Sequence, residues 1–127
     1  MAFEEALRSV SFPAGADLSA DQYKMVKVNS SGQVVLAGEG DEVTGILQDA
    51  PAASGRVACV GIAGGSKVRA GGSVTAGARF TVNSSGLAVA LGSGDDYAVG
   101  IARETFASGG IYSCIIQPTG KERSALA

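Results

Sequence analysis

The chain has 127 residues, a formal charge of −2, 19 glycines and no histidine. One domain of this length buries enough surface to hold a core without a metal or disulfide staple, and the missing histidine removes Ser-His-Asp and Cys-His catalysis together with histidine zinc sites. Lys and Arg are not clustered, which disfavours a general nucleic-acid binder, and no apolar run reaches the ~18 residues of a membrane span.

At the N-terminus, MAFEEALRSVSF lacks the basic start and apolar core of a signal peptide. The reading is of a product made in the cytoplasm, with Cys59 and Cys114 reduced and buried as small apolar groups. Phe3–Leu7 fits one turn of helix. Phe3, Leu7, Val10 and Phe12 lie before the repeated part of the chain. Residues 1–12 are therefore read as an N-terminal arm that orders on a partner. The plainer alternative is that Val10 and Phe12 form an edge strand. Ser19–Lys24 fits a second helical turn, with Ser19 as its cap.

The pentapeptide Val-Asn-Ser-Ser-Gly then occurs twice, from Val28 and from Val82. Laid on one another, VNSSGQVVLAGEGDEVTGIL and VNSSGLAVALGSGDDYAVGIA keep identities at Val35 and Val89, Gly38 and Gly92, Gly40 and Gly94, and Asp41 and Asp95. One extra residue enters the second copy; after it Gly45-Ile46 faces Gly100-Ile101 and Cys59 faces Cys114. Val26 and Val28 alternate with Lys27, and Phe80 and Val82 with Arg79 and Thr81, which is the period of a half-buried strand. Asn-Ser-Ser-Gly supplies a hairpin turn closed by glycine at positive φ. Return strands follow over Gln33–Ala37 and Leu87–Leu91, third strands over Val43–Leu47 and Tyr97–Ala102, and fourth strands over Arg56–Ile62 and Ile111–Ile116. Ala63–Gly77 bridges the halves, with Lys67-Val68-Arg69 as a short strand. Two copies are too few for a solenoid. The pattern predicts an all-β, compact β-barrel or sandwich built from a duplicated unit, residues 13–118, whose halves run over about 18–62 and 72–116. Residues 119–127 follow Pro118, which cannot donate to a continuing ladder, and are read as a tail.

Candidate chemistry is sparse. Gly38-Glu39-Gly40-Asp41-Glu42 and Gly92-Ser93-Gly94-Asp95-Asp96 put carboxylates on glycine loops, but calcium needs six to eight oxygens and these loops offer too few, so solvated turns are expected and no metal. GEGDEV lacks the third glycine of a dinucleotide fingerprint, and GIAGGSKV is not a P-loop. The serines lack a base partner and no S-x-x-K appears. No tryptophan is present to stack on sugars. The expectation is a protein without catalytic residues or cofactor. Cys59 and Cys114 are expected as two core thiols on matched strands.

PAGADLSADQYKMVKVNSSGQVVLAG from Pro13, followed by EVTGILQDAP, resembles the small decoration, or cement, proteins of tailed bacteriophage heads. SKVRAGGSVTAGARFTVNSSG is similar to their middle section and YAVGIARETFASGGIYSCII to their closing segment. The resemblance implies a barrel-like subunit on the outer surface of the virion capsid. It also implies a homotrimer, contact with the major capsid protein that reinforces capsomer junctions, and no nucleic acid, membrane or cofactor. Phe3, Leu7, Val10 and Phe12 are the candidate contact residues for the shell or a neighbouring subunit. A tail or baseplate module recognising a host-surface glycan is the alternative.

Overall fold

A computed structural model describes residues 6–92 and 95–123, with residues 95, 96 and 118–123 described by backbone alone. Nine strands form one antiparallel sheet curled into a half-barrel: β1 Leu7–Pro13, β2 Met25–Val28, β3 Val34–Leu36, β4 Gly45–Leu47, β5 Val57–Arg69, β6 Arg79–Val82, β7 Ala88–Ala90, β8 Asp95–Ala102 and β9 Ile111–Arg123. The order β3-β2-β4-β5-β9-β8-β6-β7 reads the same from either end once each strand of the first half is matched to its counterpart, and β1 lies beside β5. Both Asn-Ser-Ser-Gly hairpins form where the sequence places them, joining β2 to β3 and β6 to β7. Ser19–Lys24 is not helical. It makes two successive turns, closed by Asp21 N–H to the Leu18 carbonyl and Lys24 N–H to the Asp21 carbonyl, both at 3.0 Å.

Hydrogen bonds recur between the halves. Tyr23 N–H donates to the Leu47 carbonyl at 2.7 Å and Gly77 N–H to Ala102 at 2.8 Å; Gly15 N–H donates to Val34 and Gly71 N–H to Ala88, both at 2.8 Å. Tyr23 thus occupies the place of Gly77, and both have positive φ, 68° and 86°. A left-handed backbone costs a side-chain-bearing residue about 1–2 kcal/mol, and the Tyr23 ring, under the Lys67 ammonium and packed on the core, offsets that cost.

The recurring bonds correct the alignment at the cysteines. Gln48 N–H donates to the Cys59 carbonyl where Arg103 N–H donates to Ser113, and the Asp49 carboxylate accepts from Cys59 N–H where Glu104 Oε2 accepts from Ser113 N–H. Cys59 is therefore the counterpart of Ser113, and Cys114 of Val60: Val60 pairs with Leu47 as Cys114 pairs with Ala102. The residue inserted before β8 is recovered because the loop from Ala102 to Ile111 is shorter than the one from Leu47 to Val57. A shift of one residue turns a side chain to the other face of a sheet. Cys114 is buried and Cys59 only partly so, and neither forms a disulfide.

From Leu7 on, the segment read as an arm is a strand, and residues 1–5 lie outside the described residues. β1 pairs with β5 from Leu7 opposite Gly64 to Pro13 opposite Val57. The same register holds between the C-terminal stretch of β5 and β9, where Arg69 lies opposite Ile111 and Val68 opposite Tyr112. β1 is thus the first-half counterpart of residues 64–69, and AGADLSA after it corresponds to AGGSVTA after β5. The bridge between the halves is no linker: the fourth strand and the Lys67–Arg69 strand fuse into the 13-residue β5. Residues 119–123, read as part of a tail, are strand, and residues 124–127 lie outside the described residues. β9 continues through Pro118 to Arg123, because Pro118 falls where the β8–β9 register shifts, between the Ala98–Gly120 and Gly100–Ile116 pairs, so no regular ladder bond is asked of it there.

Two core clusters result. One holds Leu18, Val26, Val34, Leu47, Ala58 and Val60 inside the first half. The other holds Val74, Phe80, Ala88, Ala102, Phe106 and Cys114 inside the second, together with Met25, Ala37, Val43 and Ile46 from the first. Volumes exchange between matched positions: Val26 for Phe80 and Pro51 for Phe106 enlarge the second core, while Val34 for Ala88 and Leu47 for Ala102 reduce it. Close packing demands such compensation. Gly45 and Gly100 are fixed by contact, since a Cβ would come 2.1 Å from the Gly61 carbonyl oxygen and 2.2 Å from that of Ile115.

Candidate functional site

Phe3 lies outside the described residues. Leu7, Val10 and Phe12 all sit on β1, yet they do not make one apolar patch. The β1–β5 ladder shifts register between Arg8 and Ser9. Leu7 is half-buried against the second-half cluster, Phe12 packs on the first-half cluster, and Val10 is 40% exposed. Val10 lies on the same face of β1 as Phe12, opposite the buried Val60, and is the most exposed of the three. Leu7 also lines an open groove of about 440 Å³ with Tyr23, Gln48, Ser66 and Lys67. Polar groups in that groove are engaged: Gln48 Nε2 donates to Ser66 Oγ at 2.9 Å and to the Ile46 carbonyl at 3.1 Å.

The first carboxylate loop is a turn. Asp41 Oδ2 accepts from Gly38 N–H and meets the Lys27 ammonium, both at 2.8 Å. Lys27 first, and the Gly38 N–H second, hold the Asp41 carboxyl below its ordinary value. In the second loop, Ser93 and Gly94 lie outside the described residues and Asp95 and Asp96 begin β8. Among the described residues no three or more of His, Cys, Asp and Glu gather as metal ligands. The exposed Asp17 carboxyl is lowered by the Ser19 side chain and N–H.

The structure adds residues that the sequence reading passed over. Val57 is 68% exposed, Ile111 45% and Ile115 41%. Val57 and Ile111 each open a strand immediately after a glycine turn, opposite Pro13 and Arg69. Alternation against buried Ala58 and Cys114 would have pointed all three outward. An open groove of about 530 Å³ runs beside Val57, lined by Asp49, Pro51, Gly55 and Arg56. What these surfaces offer is aliphatic contact area carried on hydrogen-bonded strands.

The fold and its surface define a rigid all-β module whose outward features are strand edges and aliphatic side chains. No family model and no curated protein matches the chain. Among solved structures, the N base of the head fiber gp8.5 in bacteriophage phi29 has a similar fold, with a TM-score of 0.65 and 21% identity over 87% of this chain and 95% of that one.

Proposed function

We propose that the protein is a decoration protein of a phage head, bound to the outer surface of the assembled shell, where it stabilises contacts between capsomers. One observation supports this above the rest: the fold shared with a head-fiber base spans nearly the whole of both chains. The sequence resemblance to head decoration proteins points the same way. The task needs adhesion and not chemistry. A ligand that binds only the assembled lattice stabilises it by about 2.7 kcal/mol when present at a hundred times its dissociation constant. A homotrimer that engages three equivalent sites gains further through avidity. The major capsid protein is the partner in this reading, and Phe3, Leu7, Val10 and Phe12 belong to the contact, with Val10 the most exposed of those on β1.

The protein is mixed with heads assembled without it, and separately with host cells, and each mixture is sedimented. Co-sedimentation with heads is the expected result; with cells alone it would overturn the proposal in favour of a glycan-binding tail module. Deleting residues 1–12 removes β1 from the sheet, so the contact is better tested by Val10→Asp, which changes only an exposed position. It is expected to weaken head binding at least fivefold with the melting temperature unchanged.

A further inference from the structure

The repeated pentapeptide has one internal geometry and two environments. In each turn the Asn side chain accepts two backbone N–H groups: Asn29 Oδ1 from Ser31 and Gln33, both at 3.0 Å, and Asn83 Oδ1 from Ser85 and Leu87 at 2.8 and 3.0 Å. Gly32 and Gly86 share φ values of 76° and 77°. Yet Val82 is 1% exposed and Val28 39%, while Gly86 is buried and Gly32 exposed.

The cause lies in what each turn meets. The second turn sits on the first half of the molecule: the Gly86 carbonyl accepts Met25 N–H at 2.9 Å. A Cβ on Gly86 would come 2.6 Å from Leu36 Cδ1. Val82 shares a buried cluster with Met25, Ala37, Val43 and Ile46. A Cβ on Gly32 would meet nothing within 4 Å.

The strand pairing that receives the turn recurs in the second half, with Arg79 in place of Met25 and Ala90 in place of Leu36. Arg79 pairs with Ile101 as Met25 pairs with Ile46, and Ala90 pairs with Phe80 as Leu36 pairs with Val26. In the first half, Met25 and Ile46 are fully buried beneath the second. In the second half, Ala90 is exposed, Ile101 partly so, and Ile115, opposite Ile101, is 41% exposed. One molecule thus carries a turn without a seat at one end and a seat without a turn at the other.

The geometry points to head-to-tail docking between copies of this chain: the Val28–Gly32 turn of one copy seats over the end of β7 at Ala90 and against the side of the sheet that carries Ile101 and Ile115 in the next, repeating the placement of the second turn inside the chain. Such a contact uses two different surfaces, so it closes into a ring when the rotation per copy divides the circle. It deepens the self-association proposed above and rests on that reading for the presence of a second copy. The two faces themselves come from the intramolecular contact. It is tested with no phage head present, so its failure and that of the capsid reading are told apart.

Sedimentation velocity is run on the wild type, on Val28→Asp, on Ala90→Glu, and on an equimolar mixture of the two variants. The wild type is expected as a closed oligomer, and each variant as a monomer with its dissociation constant raised at least tenfold. Each variant keeps one intact surface, so the mixture forms a one-to-one dimer at concentrations where neither associates alone. Val57→Asp, at an exposed position elsewhere, keeps the wild-type oligomer. Circular dichroism and melting temperature report folding, and Val28→Ser replaces Val28→Asp should the latter not fold. A monomeric wild type, either variant assembling by itself as the wild type does, or a mixture that stays monomeric overturns the inference.

Discussion

Gly32→Ala and Gly86→Ala make the same chemical change in the same pentapeptide at the same backbone angle, so the difference between them isolates the contact between the two halves. Both substitutions force alanine into the left-handed region, at about 1–2 kcal/mol. At Gly32 the new methyl meets open space, and strain is the whole cost. At Gly86 the methyl would lie 2.6 Å from Leu36 Cδ1, 2.9 Å from its Cγ and 3.4 Å from the Met25 carbonyl oxygen. Overpacking of this kind adds about 1–3 kcal/mol; the lower end applies if the Leu36 side chain swings aside, the upper if the Gly86–Met25 hydrogen bond is lost as the turn lifts. Gly86→Ala is therefore expected to cost about 2–5 kcal/mol against about 1–2 for Gly32→Ala. Urea denaturation measures both, in an Ala90→Glu background so that association between copies does not bury the Gly32 turn. Equal costs would refute the packing of the second turn on the first half.

The ion pair between Lys27 and Asp41 gives a pH signature. The folded state lowers the Asp41 carboxyl, so its contribution is present above the ordinary value of 3.8 and fades as pH falls below it. Both side chains are partly exposed, which limits the effect to about 0.2–1 kcal/mol. Asp41→Asn is expected to melt slightly below the wild type at pH 7, with the gap closing at pH 3; an unchanged gap would contradict the assignment. Thiol labelling reads the register of the cysteines: in the native protein a small aromatic disulfide reagent is expected to modify Cys59 before Cys114, and both together in denaturant. Preferential loss of Cys114 would place it on the outer face.

Local signals carried the strands and turns. Alternation at Val26 and Val28 and at Phe80 and Val82, with Asn and Gly closing the turns, marks the hairpins before any coordinates. Less legible was the start of each half. AGADLSA and AGGSVTA share only small residues and turn formers, and the Tyr23 side, with Asp21 and Gln22, is longer than its counterpart. The strand before each motif also differs in residue type, LRSVSFP against GGSKVR, although each pairs in the same way along one side, with β5 and with β9. The cysteine register was hidden because identity of residue type outweighed a loop difference that only hydrogen bonds reveal. For the surface, Val57, Ile111 and Ile115 were counted with their strands. Which alternate residue faces water depends on where neighbouring strands and loops lie, and a repeat pattern alone does not carry that information.

β5 has a mechanical consequence. A single strand closes the first half with its early residues and opens the second with its late ones. A pull on either half is passed along that strand to the other through Gly64, whose φ of 99° lies outside the extended range. Swinging of one half on the other is opposed by the hydrogen bonds from Met25 N–H to the Gly86 carbonyl and from Arg69 N–H to the Tyr23 carbonyl, and by the apolar cluster the halves share. The molecule is accordingly a stiff strut, able to relay stress between whatever it touches at its two ends.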